Sequence, residues 1–215
     1  MRAELHDELD GLSALLVEMT RLVGSAISKA TMALLDADLT LAESVISADE
    51  RVDALHLEFE ERSLGLLMLQ QPGAADLRVI VTGLRMSSDL ERMGDLARHI
   101  AKLSRMRHPR SAIPVQLRET VLEMGQVAEH IVAKTGSVIA RRDLAAAAEL
   151  EADDDAMDTL HRQLFTMILD DQWPHGVEPA VDVTLCGRYY ERYADHAVSV
   201  ARRVVFLVTG QRVLN

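Results

Sequence analysis

The chain has 215 residues, of which 48% are hydrophobic and 27% charged, and 34 acidic against 23 basic side chains leave a net charge of −11. That balance is globular rather than disordered, and it lacks the broad basic footprint of a nucleic-acid binder. One cysteine excludes a disulfide framework or a cysteine-built zinc site, and 3% aromatics with 11 Gly and 5 Pro disfavour sandwiches and barrels.

Taken in chain order, Met1 to Glu8 carries acids where a signal peptide would have its apolar run. A first helix is expected from there to a break at Asp36-Ala37-Asp38, with Asp38 as N-cap. A second, with Leu41, Val45, Val52, Leu55, Phe59 and Leu66 on one face, runs to Pro72-Gly73. The third carries the stripe Met86, Leu90, Met93, Ala97, Ile100 and stops at the segment His108 to Pro114. A fourth ends at Arg141-Arg142-Asp143, with Asp143 as the next N-cap, and a fifth ends at Trp173-Pro174-His175-Gly176. The sixth packs through Tyr190, Tyr193, Ala197, Val200, Val204 and Leu207. These segments are rich in Ala, Leu, Glu, Arg and Met, all strong helix formers, and each helix is about 40 to 50 Å long. The longest charge-free run, Ser63 to Ala75, falls short of the about 20 apolar residues of a membrane span, so no membrane insertion and a cytoplasmic location are expected.

A repeat orders these elements. Shifted by 105 residues, positions 12–56 align without gaps on 117–161, with eleven identities in 45 pairs, among them Asp38/Asp143, Asp49/Asp154, Asp53/Asp158 and His56/His161. Further on the shift becomes 100, and Glu91, Arg92 and Asp95 meet Glu191, Arg192 and Asp195. The expected fold is all-α: two tandem antiparallel three-helix bundles, residues 1–107 and 115–215, joined by a linker at 108–114.

Four acidic pairs at i, i+4 spacing stand out: Asp49/Asp53, Glu91/Asp95, Asp154/Asp158 and Glu191/Asp195. This spacing puts both carboxylates on one helix face, where like charges are mildly destabilising without a cation. Asp53 and Glu91 are each 19 residues from Pro72, and Asp49 and Asp95 are each 23 from it. The corresponding pairs of the second repeat are centred on the Pro174-His175 bond. An antiparallel hairpin thus brings each set of four to one level. Four hard oxygens at one level suit iron, manganese or magnesium. They also suit a basic partner, or form a solvated face held by Arg92 and Arg192. The helical wheel places all eight near solvent. The inward Glu-x-x-His pairs of a di-iron oxidase are absent; Asp53-x-x-His56 and Asp158-x-x-His161 come nearest, and these histidines read either as ligands or, as expected here, as boundary residues satisfied by a carbonyl or an acid.

Cys186 and the methionines read as core, Trp173 and Pro174 as pins of a hairpin end. Asp76-Leu77-Arg78 reads as a cap for the third helix, with Gln71, Asp76 and Arg78 as a weaker anion site. No phosphate-binding glycine loop, nucleophile elbow or Cys-x-x-Cys is present, so no catalysis is expected.

Residues 70–78 (QQPGAADLR), 89–95 (DLERMGD), 190–196 (YERYADH), the closing Thr209-Gly210 and the acidic pairs together resemble the PhoU family of phosphate-uptake regulators, from about His6 to Gly210. The resemblance implies a non-catalytic cytoplasmic adaptor that couples a phosphate ABC transporter, through its ATPase subunit, to a sensor histidine kinase. It implies repression of the starvation response and of uptake when phosphate is plentiful, a homodimer, and attachment to the inner membrane face only through partners. It also implies iron or another divalent or trivalent metal at Asp49, Asp53, Glu91, Asp95, Asp154, Asp158, Glu191 and Asp195. The chain departs from the family where His99-Ile100-Ala101-Lys102 and Ser199-Val200-Ala201-Arg202 replace Asn-Ile-Ala-Glu, which adds positive charge beside the acidic pairs.

Overall fold

The structure is a computed structural model that describes residues 2–69 and 72–211. Among these, α1 spans Arg2–Asp36, α2 Leu39–Leu69, α3 Ala74–Arg107, α4 Arg118–Arg141, α5 Leu144–Ile168 and α6 Val177–Thr209, with a 3₁₀ turn at Val115–Leu117 before α4. The expected breaks are where chain direction reverses. Ala37 takes a left-handed φ of 52° and Asp38 Oδ1 then accepts from the Leu41 amide at 2.9 Å. The second repeat does the same: Arg142 has φ 54° and Asp143 accepts from the Ala145 and Ala146 amides. Each carboxylate satisfies amide donors that the first helical turn leaves open.

The expected cap of α3 is different. Gly73 is the N-cap and offers no side chain, and Asp76 sits inside the first turn, where its charge faces the positive end of the helix. Arg78 leaves that turn to lie over the Phe206 ring of α6, 5.7 Å from its centroid. Gln70 and Gln71 fall outside the described residues. At the other hairpin the indole Nε1 of Trp173 donates to the Gly176 carbonyl at 2.8 Å, so the expected pin is in place.

Helices α1, α2 and α3 pack on one another, as do α4, α5 and α6. The two bundles meet through α1 against α4 and α3 against α6, and one hydrophobic core runs through both. The linker is part of this body, with Ala112 and Ile113 buried. The contacts between bundles come in pairs that the repeat exchanges. A Cβ on Gly125 would lie 2.5 Å from Thr31, and one on Gly136 would lie 2.9 Å from Thr20; the shift of 105 turns one contact into the other. On α3 and α6, Asp89 bonds Ser199 at 3.2 Å while His99 stacks on Tyr189 at 5.3 Å; the shift of 100 exchanges these pairs. The molecule is therefore pseudo-two-fold, with antiparallel central helices.

Polar groups inside this interface are partnered. Tyr190 Oη shares a 2.6 Å hydrogen bond with Thr31 and Tyr193 Oη donates to the Val23 carbonyl, while within the first bundle Ser104 donates to the Ala33 carbonyl. Burying these hydroxyls without partners would cost more than the apolar contact around them gains. At the rim Arg107 grips Asp182 through Nε and Nη2, at 2.6 and 2.9 Å, and also pairs with Glu178.

One expectation is revised. The stretch Leu5–Asp36 is long and apolar enough, by length and composition, to cross a membrane. Scattered charges hide this from a search for charge-free runs. In this fold its apolar side, from Leu9, Leu12 and Leu16 through Met19, Val23 and Ile27 to Ala33 and Leu34, belongs to the shared core.

Candidate functional site

The carboxylates of the first repeat project from facing stretches of α2 and α3. Contrary to the wheel reading, Asp49 is buried, at 6% exposure, while Glu91 and Asp95 are half-buried and Asp53 is exposed. The reason lies across the helix pair. Gly94 has no side chain, and a Cβ there would stand 2.9 Å from Asp49 Oδ1. The missing methyl lets α2 close in and takes Asp49 out of water. Its carboxyl is pushed up to about 6, first by burial and then by the like charges of Asp53, Asp95 and Glu91, against the pull of Arg98. Glu91 is raised as well, by burial and by Asp95.

Two arginines answer this crowding, and sequence reasoning named one. Arg92 lies 3.0 Å from Asp95 Oδ2 and 3.7 Å from Glu91 Oε2. Arg98, half-buried, sends Nη1 to within 2.8 Å of Asp49 Oδ2 and bonds Asp95 through Nη2. The contact with Asp49 is an ion pair without hydrogen-bond alignment: Asp49 Oδ2 and Arg98 Nε are both buried with no hydrogen-bond partner. The i, i+3 spacing from Asp95 signals this arginine in the sequence.

In the second repeat Asp154 and Asp158 come from α5, Glu191 and Asp195 from α6. Ala194 replaces Gly94, and Asp154 is half-buried where its counterpart is fully buried. Asp154 is still pushed up to about 6, by burial and then by Asp195, Asp158 and Asp155, with Arg202 opposing. Glu191 is held by Arg188, and Arg202 Nε lies 2.9 Å from Glu151. Among the described residues no hydrogen bond or ion pair reaches the carboxylates of Asp154, Asp158 or Asp195 (the nearest counterpart of Arg98 is Val198), and Arg192 forms no ion pair there.

The histidines differ in the same way. His56 Nδ1 lies 3.2 Å from Ser87 Oγ and its Nε2 3.5 Å from Glu60. In the second repeat the serine is replaced by Gly187, and His161 Nε2 is buried without a partner. The expectation of a satisfied boundary histidine holds for His56 and fails for His161. Cys186 is fully buried, where the absence of water pushes its thiol far above the ordinary range, and Met19, Met86, Met93, Met124 and Met157 are core; Met32, Met68, Met106 and Met167 are exposed.

Eight hard oxygen donors have the chemistry for iron, manganese or magnesium. Among the described residues, however, no three His, Cys, Asp or Glu side chains are gathered as such a centre requires. In the first cluster a guanidinium already stands between two of the four acids. The carboxylates there do not fit a metal as they stand.

The fold is matched in known proteins. The PhoU domain model matches residues 16–104 and 121–204, one copy per repeat. The chain is 50% identical over 210 residues to the "phosphate-specific transport system accessory protein PhoU homolog 2" of Mycobacterium tuberculosis, covering 98% of this chain and 99% of that one. It is 48% identical to homolog 1 of Mycobacterium leprae, over 98% of this chain and 95% of the relative. The crystal structure of PhoU from Pseudomonas aeruginosa superposes with a TM-score of 0.84 at 28% identity, covering 96% of this chain and 99% of that one. A domain model matched once in each three-helix repeat, relatives about half identical over nearly the whole chain and a superposing structure make this chain a member of the PhoU domain family.

Proposed function

We propose that this chain is a non-catalytic cytoplasmic regulator of phosphate homeostasis. It couples the ATPase subunit of a phosphate ABC transporter to a sensor histidine kinase, and represses starvation signalling and uptake when phosphate is plentiful. It acts as a homodimer and reaches the inner membrane face through its partners. The observation that carries the reading is 50% and 48% identity, over nearly the whole chain, with relatives named as accessory proteins of phosphate-specific transport.

The surface supports an adaptor. Exposed apolar side chains recur at equivalent positions of the two hairpin tips: Leu64 and Leu169, Leu77 and Val177, Val81 and Val181. On α3 and α6 these lead along the helix into the acidic clusters, and apolar area of this kind beside charge is the mark of protein contact. The test is genetic. In a host stripped of every PhoU-family copy, phosphate-scavenging genes are expressed in phosphate-rich medium. The wild-type chain restores repression, and the double variant Val81→Lys/Val181→Lys does not. Unchanged expression after deletion would sink the reading.

The second reading is a metal-binding or metal-storing protein. Its support is the second cluster, where Asp195 and Asp158 repel Asp154, Arg202 opposes them only through space, and no ion pair reaches the three aspartates among the described residues. Elemental analysis of untagged protein, prepared with and without oxygen, separates the two: stoichiometric metal lost on Asp158→Ala supports storage, and metal-free protein that still represses supports the adaptor alone.

A further inference from the structure

We propose that Arg98 is the resident cation of the first acidic cluster, a tethered guanidinium that stands where a metal ion would and closes this cluster, in contrast to its counterpart in the second repeat. The geometry is direct. Arg98 bridges the two helices of the hairpin, touching Asp49 on α2 and Asp95 on α3. Asp49 is the buried member of the set, and burying a carboxylate without a counter-charge is costly. Arg98 supplies that charge from within the chain, so no ion has to be captured from solution.

The imperfect fit identifies it as a substitute. Asp49 Oδ2 and Arg98 Nε are both buried without hydrogen-bond partners, although the groups are in ion contact. A side chain anchored one turn from Asp95 on α3 brings positive charge to Asp49 and Asp95 without saturating them. The repeat supplies the contrast. Aligning the sixth helix on the third puts Val198, a buried core residue, opposite Arg98, and no cation is bonded to Asp154, Asp158 or Asp195 among the described residues. The repeats therefore keep the same acids but differ in what balances them.

The experiment is a Mn²⁺ titration of the full chain, read by melting temperature and by bound metal after desalting. Arg98→Val, which copies the second repeat, removes the tethered cation. It is expected to bind Mn²⁺ beyond the wild-type amount and to melt higher as Mn²⁺ is added, with both effects lost in Arg98→Val/Asp49→Asn. Arg98→Lys, which keeps a cation, is expected to behave as wild type. Asp49→Asn in the wild-type background is expected to leave metal content unchanged. If Arg98→Val does not fold by circular dichroism, Arg98→Met preserves more of the side-chain volume and takes its place. Equal Mn²⁺ binding with and without Arg98, or loss of wild-type metal on Asp49→Asn, overturns the proposal. The regulatory reading is untouched by either result, since the readout is metal and stability rather than repression.

Discussion

Asp89 of α3 and Arg203 of α6 meet across the boundary between the repeats, with Nε 2.8 Å from Oδ2. Asp89 also takes His196 Nδ1 at 3.0 Å and Ser199 Oγ at 3.2 Å. Burial alone would raise this carboxyl, but the hydrogen bonds from His196 and Arg203 outweigh it and hold Asp89 below its ordinary value. Asp89→Ala is expected to cost about 2 kcal/mol, because Arg203 and His196 lose their shared acceptor. A lowered carboxylate stabilises above its unfolded value and loses that contribution as pH falls through the folded one. The stability gap between wild type and Asp89→Ala should thus be full at neutral pH and shrink below about pH 4, measured by urea unfolding across that range. A gap independent of pH would mean that packing, not charge, joins the repeats here.

The opposite sign applies to Asp49. Its folded value of about 6 lies above the ordinary aspartate value of 3.8, so the folded state binds the proton more tightly. Stability from this group is complete below the unfolded value and declines as pH rises through about 6. Asp49→Asn, measured in chelator, should melt higher than wild type at pH 8 and lose that advantage near pH 4. A variant less stable at pH 8 would show that the pair with Arg98 outweighs burial.

Two glycines on the same fold should respond in opposite directions. A methyl at Gly125 meets Thr31 at 2.5 Å, inside the contact between α1 and α4, so Gly125→Ala should destabilise by about 1–3 kcal/mol. Gly65 lies within α2 with nothing within 4 Å of an added Cβ. Gly65→Ala should stabilise by about 0.5–1 kcal/mol through helix propensity alone. Chemical denaturation of both variants checks the pair.

Local chemistry was legible in the linear chain. Asp38 and Asp143 announce caps because short-range bonds to amides two or three residues away need no knowledge of the rest. The 105-residue repeat and the 3.6-residue stripes announce six helices in two sets of three, and Pro72 and Pro174 set the register that levels the acids. Depth was not legible, because it depends on what faces a residue from another helix. A wheel drawn on α2 alone puts Asp49 at the surface, and Gly94 on α3 draws it in. The exchanged contacts of Thr31 with Gly125 and Thr20 with Gly136, and the shared core they join, arise between segments some hundred residues apart. The balance of charge at the acidic clusters was settled in the same way: the linear chain shows that eight carboxylates recur at matched heights, and the packing of α2 on α3 brings Arg98 to Asp49 as well as Asp95, since an ion pair between helices depends on distances that helical periodicity does not contain.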